Sequence, residues 1–156
     1  QIFYMTNLPL SIPAPASSFN WSSIPGKLAK LVVGDFNGDG MDDLAGINSD
    51  GRIFLTMDLS TWTSIPGRLA QLVAANLDPD TRDEVAGLTA DGRIFYTDNL
   101  LSWTRIPGTL AQLVTADYDG DGLDDLAGIT TDGRIYYTTN LTSWIRIPGS
   151  LTMLCE

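Results

Sequence analysis

The stretch WTSIPGRLAQLVAANLDPDTRDEVAGLTADGRIFYTDNLLS (residues 62–102) is followed at once by WTRIPGTLAQLVTADYDGDGLDDLAGITTDGRIYYTTNLTS (103–143), and the two agree at 26 of 41 positions. Trp21, Trp62, Trp103 and Trp144 stand 41 residues apart, each opening a W-x-x-I-P-G segment. A fixed period near 40 residues marks a propeller or solenoid, in which one small unit is stacked repeatedly because none can bury its apolar face alone. The period divides the chain, read as a single domain over 1–156, into a partial start (1–20, with an insert at 9–19), repeats at 21–61, 62–102 and 103–143, and a partial end at 144–156.

Within a repeat, hydropathy and turn residues predict four short strands. Strand one spans 28–36, 69–77 and 110–118, and strand two begins at 43 in the first copy and runs to 49. The pairs Asp50-Gly51, Asp91-Gly92 and Asp132-Gly133 then predict a type I′ hairpin, which needs positive φ at both central residues. Strand three spans 52–59, 93–100 and 134–141, and alternation puts Ile94, Tyr96 and Leu100 on one face and Arg93, Phe95, Thr97 and Asn99 on the other. Large groups on both faces suit a sheet packed between neighbouring sheets. The W-x-x-I-P-G segment is the fourth strand, and its proline suits an edge, where no ladder donor is lost. These features predict an all-β fold, a propeller of four-stranded blades.

Strand three has a further copy at 1–8 and strand one at 150–156, whereas strand two occurs three times. Three complete blades therefore accompany a split, incomplete fourth. Two closures stay open: a small ring, or a larger propeller completed by a second copy in a homodimer.

Composition narrows the function. A net charge of −10 argues against nucleic acid or an anionic membrane as partner, and no apolar run is long enough to cross a bilayer as a helix. Histidine is absent, which removes Ser-His-Asp and Cys-His nucleophiles and every His-based zinc site, and no catalytic residues are expected. The single cysteine, Cys155, aligns with Val32, Val73 and Val114 and reads as a buried apolar thiol. A secreted or extracellular protein is the expectation, with Gln1 a processed start, and a cytosolic one is compatible with the sequence.

Nine of the 19 acidic residues lie in two loops, DFNGDGMDD (35–43) and DYDGDGLDD (117–125). Both fit D-x-[DN]-x-D-G-x-x-D, in which oxygens at alternate positions wrap a hard cation and the glycine permits the sharp turn. Calcium is assigned to Asp35, Asn37, Asp39 and Asp43 with the Met41 carbonyl, and to Asp117, Asp119, Asp121 and Asp125 with the Leu123 carbonyl. The middle copy, NLDPDTRDE (76–84), begins with Asn76, replaces the glycine by Thr81 and adds Arg82. It is expected to be empty and to keep its shape through side-chain bonds to backbone.

DFNGDGMDDLAG and DYDGDGLDDLAG resemble the FG-GAP/VCBS repeat of integrin α-chain propellers. With a tryptophan in every repeat and R-I-[FY]-Y-T-x-N-L in strand three, the chain is more similar to the Psathyrella velutina lectin family. That resemblance implies a propeller that binds N-acetylglucosamine-type sugars in pockets between blades, with structural calcium in the loops and glycans or glycoproteins as partners. A sugar site needs an aromatic platform beside short polar groups. Each repeat sets a tryptophan four residues beyond an Asn or Asp, in Asp58/Trp62, Asn99/Trp103 and Asn140/Trp144. These, with Trp21, Tyr96 and Tyr137, are the candidate sugar contacts; the competing reading makes the tryptophans inter-blade core. An integrin-like module for protein adhesion is the alternative function.

Overall fold

The computed structural model describes residues 2–5 and 21–154, with side chains from 23 onward. The insert at 9–19, the Trp21 side chain and Cys155 lie outside the described residues. No described helix is long and apolar enough to cross a membrane.

Strands β1 (Ile2–Met5) and β2 (Trp21–Ile24) pair as a two-stranded sheet. Three four-stranded antiparallel sheets follow. The first holds β3 (Lys30–Gly34), β4 (Asp43–Ile47), β5 (Arg52–Thr56) and β6 (Thr63–Arg68) in that order. The second holds β7 (Gln71–Ala75), β8 (Glu84–Leu88), β9 (Arg93–Thr97) and β10 (Thr104–Thr109). The third holds β11 (Gln112–Ala116), β12 (Asp125–Ile129), β13 (Arg134–Thr138) and β14 (Ile145–Ser150). Strands β3, β7 and β11 contact one another in sequence along the inner side, and the described residues form an incomplete propeller that does not close on itself. The small closed ring is therefore not formed within them.

The core lies between sheets, as two-faced apolar strands require. One cluster, built on Ile53, Leu55, Ile65, Leu72 and Val85, joins the first and second sheets and takes in Leu100 and Trp103. The next, built on Leu88, Ile94, Ile106, Leu113 and Leu126, joins the second and third and takes in Tyr96, Leu141 and Trp144. Each fully buried Ile or Leu contributes about 1.5–3 kcal/mol.

The proline does sit on the outermost strand. In β6, Ile65 faces Ile53 while Arg68 faces Arg52, so Pro66-Gly67 is a bulge, with Gly67 at φ 107°. The same bulge recurs in β10 and β14.

Two expectations are corrected. The Asp-Gly hairpins are not type I′: Gly51, Gly92 and Gly133 have positive φ, but their aspartates do not. The Gly51 N–H donates to the Asn48 carbonyl at 3.0 Å, which makes a four-residue turn whose last residue is the left-handed glycine. Gly is required there because a Cβ on Gly51 would lie 2.7 Å from the Leu69 carbonyl oxygen. Strand three is also shorter than expected, ending at Thr56, Thr97 and Thr138. The chain then bends through Leu59, Leu100 and Leu141, all at φ near 56–59°, so neither Leu100 nor Asn99 continues the alternation.

Candidate functional site

The tryptophans are clasps between successive outer strands. The indole N–H of Trp62 donates to the Pro25 carbonyl at 2.5 Å, that of Trp103 to Pro66 at 2.6 Å, and that of Trp144 to Pro107 at 2.6 Å. Each acceptor belongs to the Pro-Gly bend of the preceding sheet, and the glycine lets the indole approach. A Cβ on Gly67 would lie 3.0 Å from Trp103 Nε1, and one on Gly26 would lie 3.3 Å from Trp62 Nε1.

Beside each clasp the sheets part. Between the second and third sheets, Trp144, Tyr136, Ile94, Leu110, Thr109 and Thr130 line a cleft of about 240 Å³. The repeat of that cleft, about 180 Å³, lies between the first and second sheets, lined by Trp103, Phe95, Leu69, Arg68 and Thr89. Corresponding residues are 41 apart, so these are two copies of one site. They are smaller than the roughly 300–1,000 Å³ typical of drug-sized ligands, a size suited to one small ring or substituent. At their rims, Thr89 Oγ donates to Asp91 at 2.5 Å, and Thr130 Oγ donates to Asp132. Arg93 and Arg134 pair with those same aspartates at 2.9 and 3.1 Å. The aspartates are held below the usual carboxylate range, chiefly by those threonine hydroxyls.

The other sequence candidates fall elsewhere. Tyr96 packs into the second core on the opposite face of β9 from Phe95, and Tyr137 meets Tyr118 edge-on, with centroids 6.4 Å apart. The side chains of Asp58, Asn99 and Asn140 are committed to the bends after strand three. Asp58 Oδ1 accepts the N–H groups of Ser60 and Thr61 at 2.8 Å each. Asn99 Oδ1 does the same for Leu101 and Ser102, and Asn140 Oδ1 for Thr142 and Ser143. Those donors hold the Asp58 carboxyl well below its ordinary range. The cleft aromatics Phe95 and Tyr136 escape a sequence reading, since both faces of strand three are apolar and parity does not say which face meets the tryptophan.

The acidic loops lie between inner strands and follow their repeat pattern. In 117–125, one carboxylate oxygen from each of Asp117, Asp119 and Asp125 lies within 4.8 Å of the others, a cluster that could hold a metal ion. Asp121 instead accepts the Leu123 N–H at 2.9 Å. Asp125 is 4 % exposed, and burial pushes its carboxyl up. In 35–43 the third position is Asn37, so that loop does not gather three carboxylates. Its Asp35 oxygens accept Gly38 and Gly40 N–H groups at 2.7 and 2.8 Å, and Asp39 accepts Met41 N–H at 2.9 Å. Asp43 Oδ2 is buried without a hydrogen-bond partner, the kind of orphan oxygen a bound cation would satisfy. The Met41 side chain is 67 % exposed; what these loops ask of Met41 and Leu123 is the backbone.

For the middle loop the expectation of backbone bonding holds. The loop does bond its own backbone, through Asp78 to Asp80 N–H at 2.9 Å, but it also brings Asp78, Asp80 and Glu84 together within 4.8 Å. Glu84 is 1 % exposed, and burial pushes its carboxyl up to about 7.

Position eight of the loop, outside the ligand pattern, has a role the sequence hides. Asp83 Oδ2 accepts the Asp35 N–H at 2.8 Å, and the Asp83 N–H donates to the Asp35 carbonyl at 2.8 Å. Asp124 grips Asn76 in the same way, at 3.0 and 2.7 Å. These carboxylates tie each loop to the preceding one.

No curated protein matches the chain. The pattern that defines the tectonin domain matches residues 1–155, and tectonin domains are lectin-like propellers. The repeat and the four-stranded sheets agree with that match, and the chain belongs to the tectonin-domain family.

Proposed function

We propose that this lectin-like module is a non-catalytic carbohydrate binder. It takes N-acetylglucosamine-type residues in the clefts beside Trp103 and Trp144, and calcium in loops 35–43 and 117–125. The observation that carries the reading is one cleft recurring at the repeat period, walled by an indole and a second aromatic ring and edged by threonine hydroxyls. The indole N–H is spent on the neighbouring sheet, which fixes the ring and leaves its apolar face for a sugar C–H face or an acetamido methyl. Two weak, similar sites give high avidity on clustered glycans. Calcium suits the loops because hard oxygen donors at alternate positions are what it selects.

A glycan array with calcium present tests the reading, alongside Tyr136→Ala, which removes a cleft wall and spares the clasp. The expected result is a signal for N-acetylated glycans, weaker in the variant, with agglutination far exceeding monovalent affinity. Absence of any glycan signal from a folded, calcium-loaded protein overturns it and leaves the adhesion alternative.

One observation supports assembly with a second copy. Among the described residues, Gly26, Gly67 and Gly108 each have a tryptophan against them, while Gly149 has nothing within 4 Å. Beside it Ile145, Ile147 and Met153 are 51, 39 and 63 % exposed. A partner's β2 would bring a tryptophan to that place, and light scattering that finds only a 17 kDa species sinks this reading.

A further inference from the structure

The middle acidic loop is spelled unlike a calcium loop, and the fold shows why the spelling misleads. Where the outer loops have Gly38 and Gly120 at φ 78° and 82°, this loop has Pro79; where they have Gly40 and Gly122 at φ 82° and 90°, it has Thr81 without a positive φ. Without those glycines the loop still brings together the carboxylates of Asp78, Asp80 and Glu84, its third, fifth and ninth positions, where loop 117–125 gathers its first, third and ninth; the first position here is Asn76, which has no carboxylate to give. Glu84 stands where the other loops have Asp43 and Asp125. Its extra methylene restores reach from a strand end that has not moved.

Two buried oxygens there have no donor. Glu84 Oε2 accepts the Leu77 N–H at 2.7 Å, but Oε1 is buried without a partner, and so is Asn76 Oδ1. An unsatisfied buried acceptor costs about 1–3 kcal/mol, more when charged. Arg82 does not supply the missing positive charge at these atoms: its guanidinium binds Asp80 Oδ2 at 2.7 and 3.0 Å and is 44 % exposed.

We propose that loop 76–84 is a third cation site, holding a hard divalent cation of the calcium class through Asn76 Oδ1, Asp78, Asp80 and Glu84 Oε1. Three carboxylates less the Arg82 charge leave a formal −2, which a divalent ion balances. The inference extends the calcium reading of the outer loops to a loop built differently, and stands apart from the sugar reading.

Native mass spectrometry of the full chain, stripped by chelator and titrated with calcium, counts the sites. Glu84→Gln and Asp78→Ala should each hold one ion fewer than the unaltered protein, and Asp119→Ala should lose a different ion, additively with Glu84→Gln. If the unaltered chain holds a single ion that Glu84→Gln removes, the inference survives and the outer-loop reading falls. Equal counts in the unaltered chain and both middle-loop variants overturn it, whatever the count. Thermal melting adds an independent check. Glu84→Gln should melt no lower than the unaltered protein in chelator, since it removes a buried charge, and lower in calcium. An equal loss under both conditions means the residue is only structural and also overturns the inference.

Discussion

If the tryptophans are clasps, Trp103→Phe should destabilise the chain while leaving an aromatic ring between the sheets. The change deletes the indole N–H that reaches the Pro66 carbonyl at 2.6 Å. A hydrogen bond of this kind contributes about 0.5–1.5 kcal/mol net, and Pro66 is exposed, so water can take over its carbonyl and no orphan penalty follows. The smaller ring gives up some 20–40 Å² of half-buried apolar contact, about 0.5–1 kcal/mol at ~25 cal/mol/Å². Together these come to about 1–2.5 kcal/mol, or roughly 2–10 °C in Tm for a domain of this size.

Gly67→Ala supplies the second arm of a cycle. Its φ of 107° strains any L residue, and its Cβ would lie 3.0 Å from Trp103 Nε1. The strain persists in a Trp103→Phe background, but the atom against the Cβ is gone. The two losses should therefore fall short of their sum by at least about 0.5 kcal/mol. Urea unfolding or calorimetry in saturating calcium measures all four species. Additive losses, or a Trp103→Phe protein melting within about 1 °C of the unaltered one, would refute the clasp.

Three further outcomes follow from the same geometry. Asp58 is held below its ordinary range by the Thr61 and Ser60 N–H groups; its contribution is present above the unfolded value of about 3.9 and is lost as pH falls through the folded one. On acidification the Ser60 and Thr61 amides should lose hydrogen-exchange protection, while Leu101 and Ser102, capped by the non-titrating Asn99, should keep theirs. Leu100 occupies a left-handed bend at φ 59° yet packs into the first core, so Leu100→Gly should melt above Leu100→Ala, by about 0.5–1 kcal/mol, with both below the unaltered chain. Asp83→Asn should keep the acceptor for the Asp35 N–H and relieve a part-buried charge, leaving Tm unchanged or slightly raised, whereas Asp83→Ala should cost about 1–2 kcal/mol by calorimetry.

Much of this architecture is legible in the residues. The 41-residue period, the turn signals and Pro66 and Pro107 on the outer strands lead to the blade, and the two-sided apolar strands lead to a core between sheets. What escapes is whatever depends on the neighbouring sheet. The tryptophan spacing shows that an indole recurs, but only the fold shows its N–H on a carbonyl 37 residues earlier. Tyr96 and Tyr137 attract attention as polar aromatics, yet Phe95 and Tyr136 face the clefts, because a period of two does not name the face when both are apolar. Asp83 and Asp124 read as surplus charge in an acidic loop, and their acceptor role needs the preceding loop in place. In the middle loop Asn76 and Glu84 stand where the motif asks for aspartate and the glycines are gone, so a fixed motif does not register the carboxylates that still gather there.

Departures from the repeat can be read in the same way, and Lys30 is the clearest. Its counterparts Gln71 and Gln112 span the inner seam: Gln71 donates to the Leu113 carbonyl at 2.7 Å and accepts the Leu113 N–H at 3.1 Å, and Gln112 accepts the Leu154 N–H at 2.7 Å. An amide has both a donor and an acceptor, so it can satisfy both backbone groups of one residue; a lysine ammonium has donors only and cannot take an N–H. The seam between β3 and β7 therefore lacks the two-way bridge that joins β7 to β11, although the strands approach in the same manner. Lys30→Gln should restore it against Leu72. Two neutral, part-buried bonds would add about 1–2 kcal/mol, less the entropy of fixing one glutamine side chain, up to about 1.5 kcal/mol. The net gain should be near 0.5–1 kcal/mol, and slowed exchange of the Leu72 amide should accompany a Tm rise of about 1–4 °C. If that amide exchanges at an unchanged rate in the variant, the glutamines are packing groups, and the seam is held by apolar contact alone.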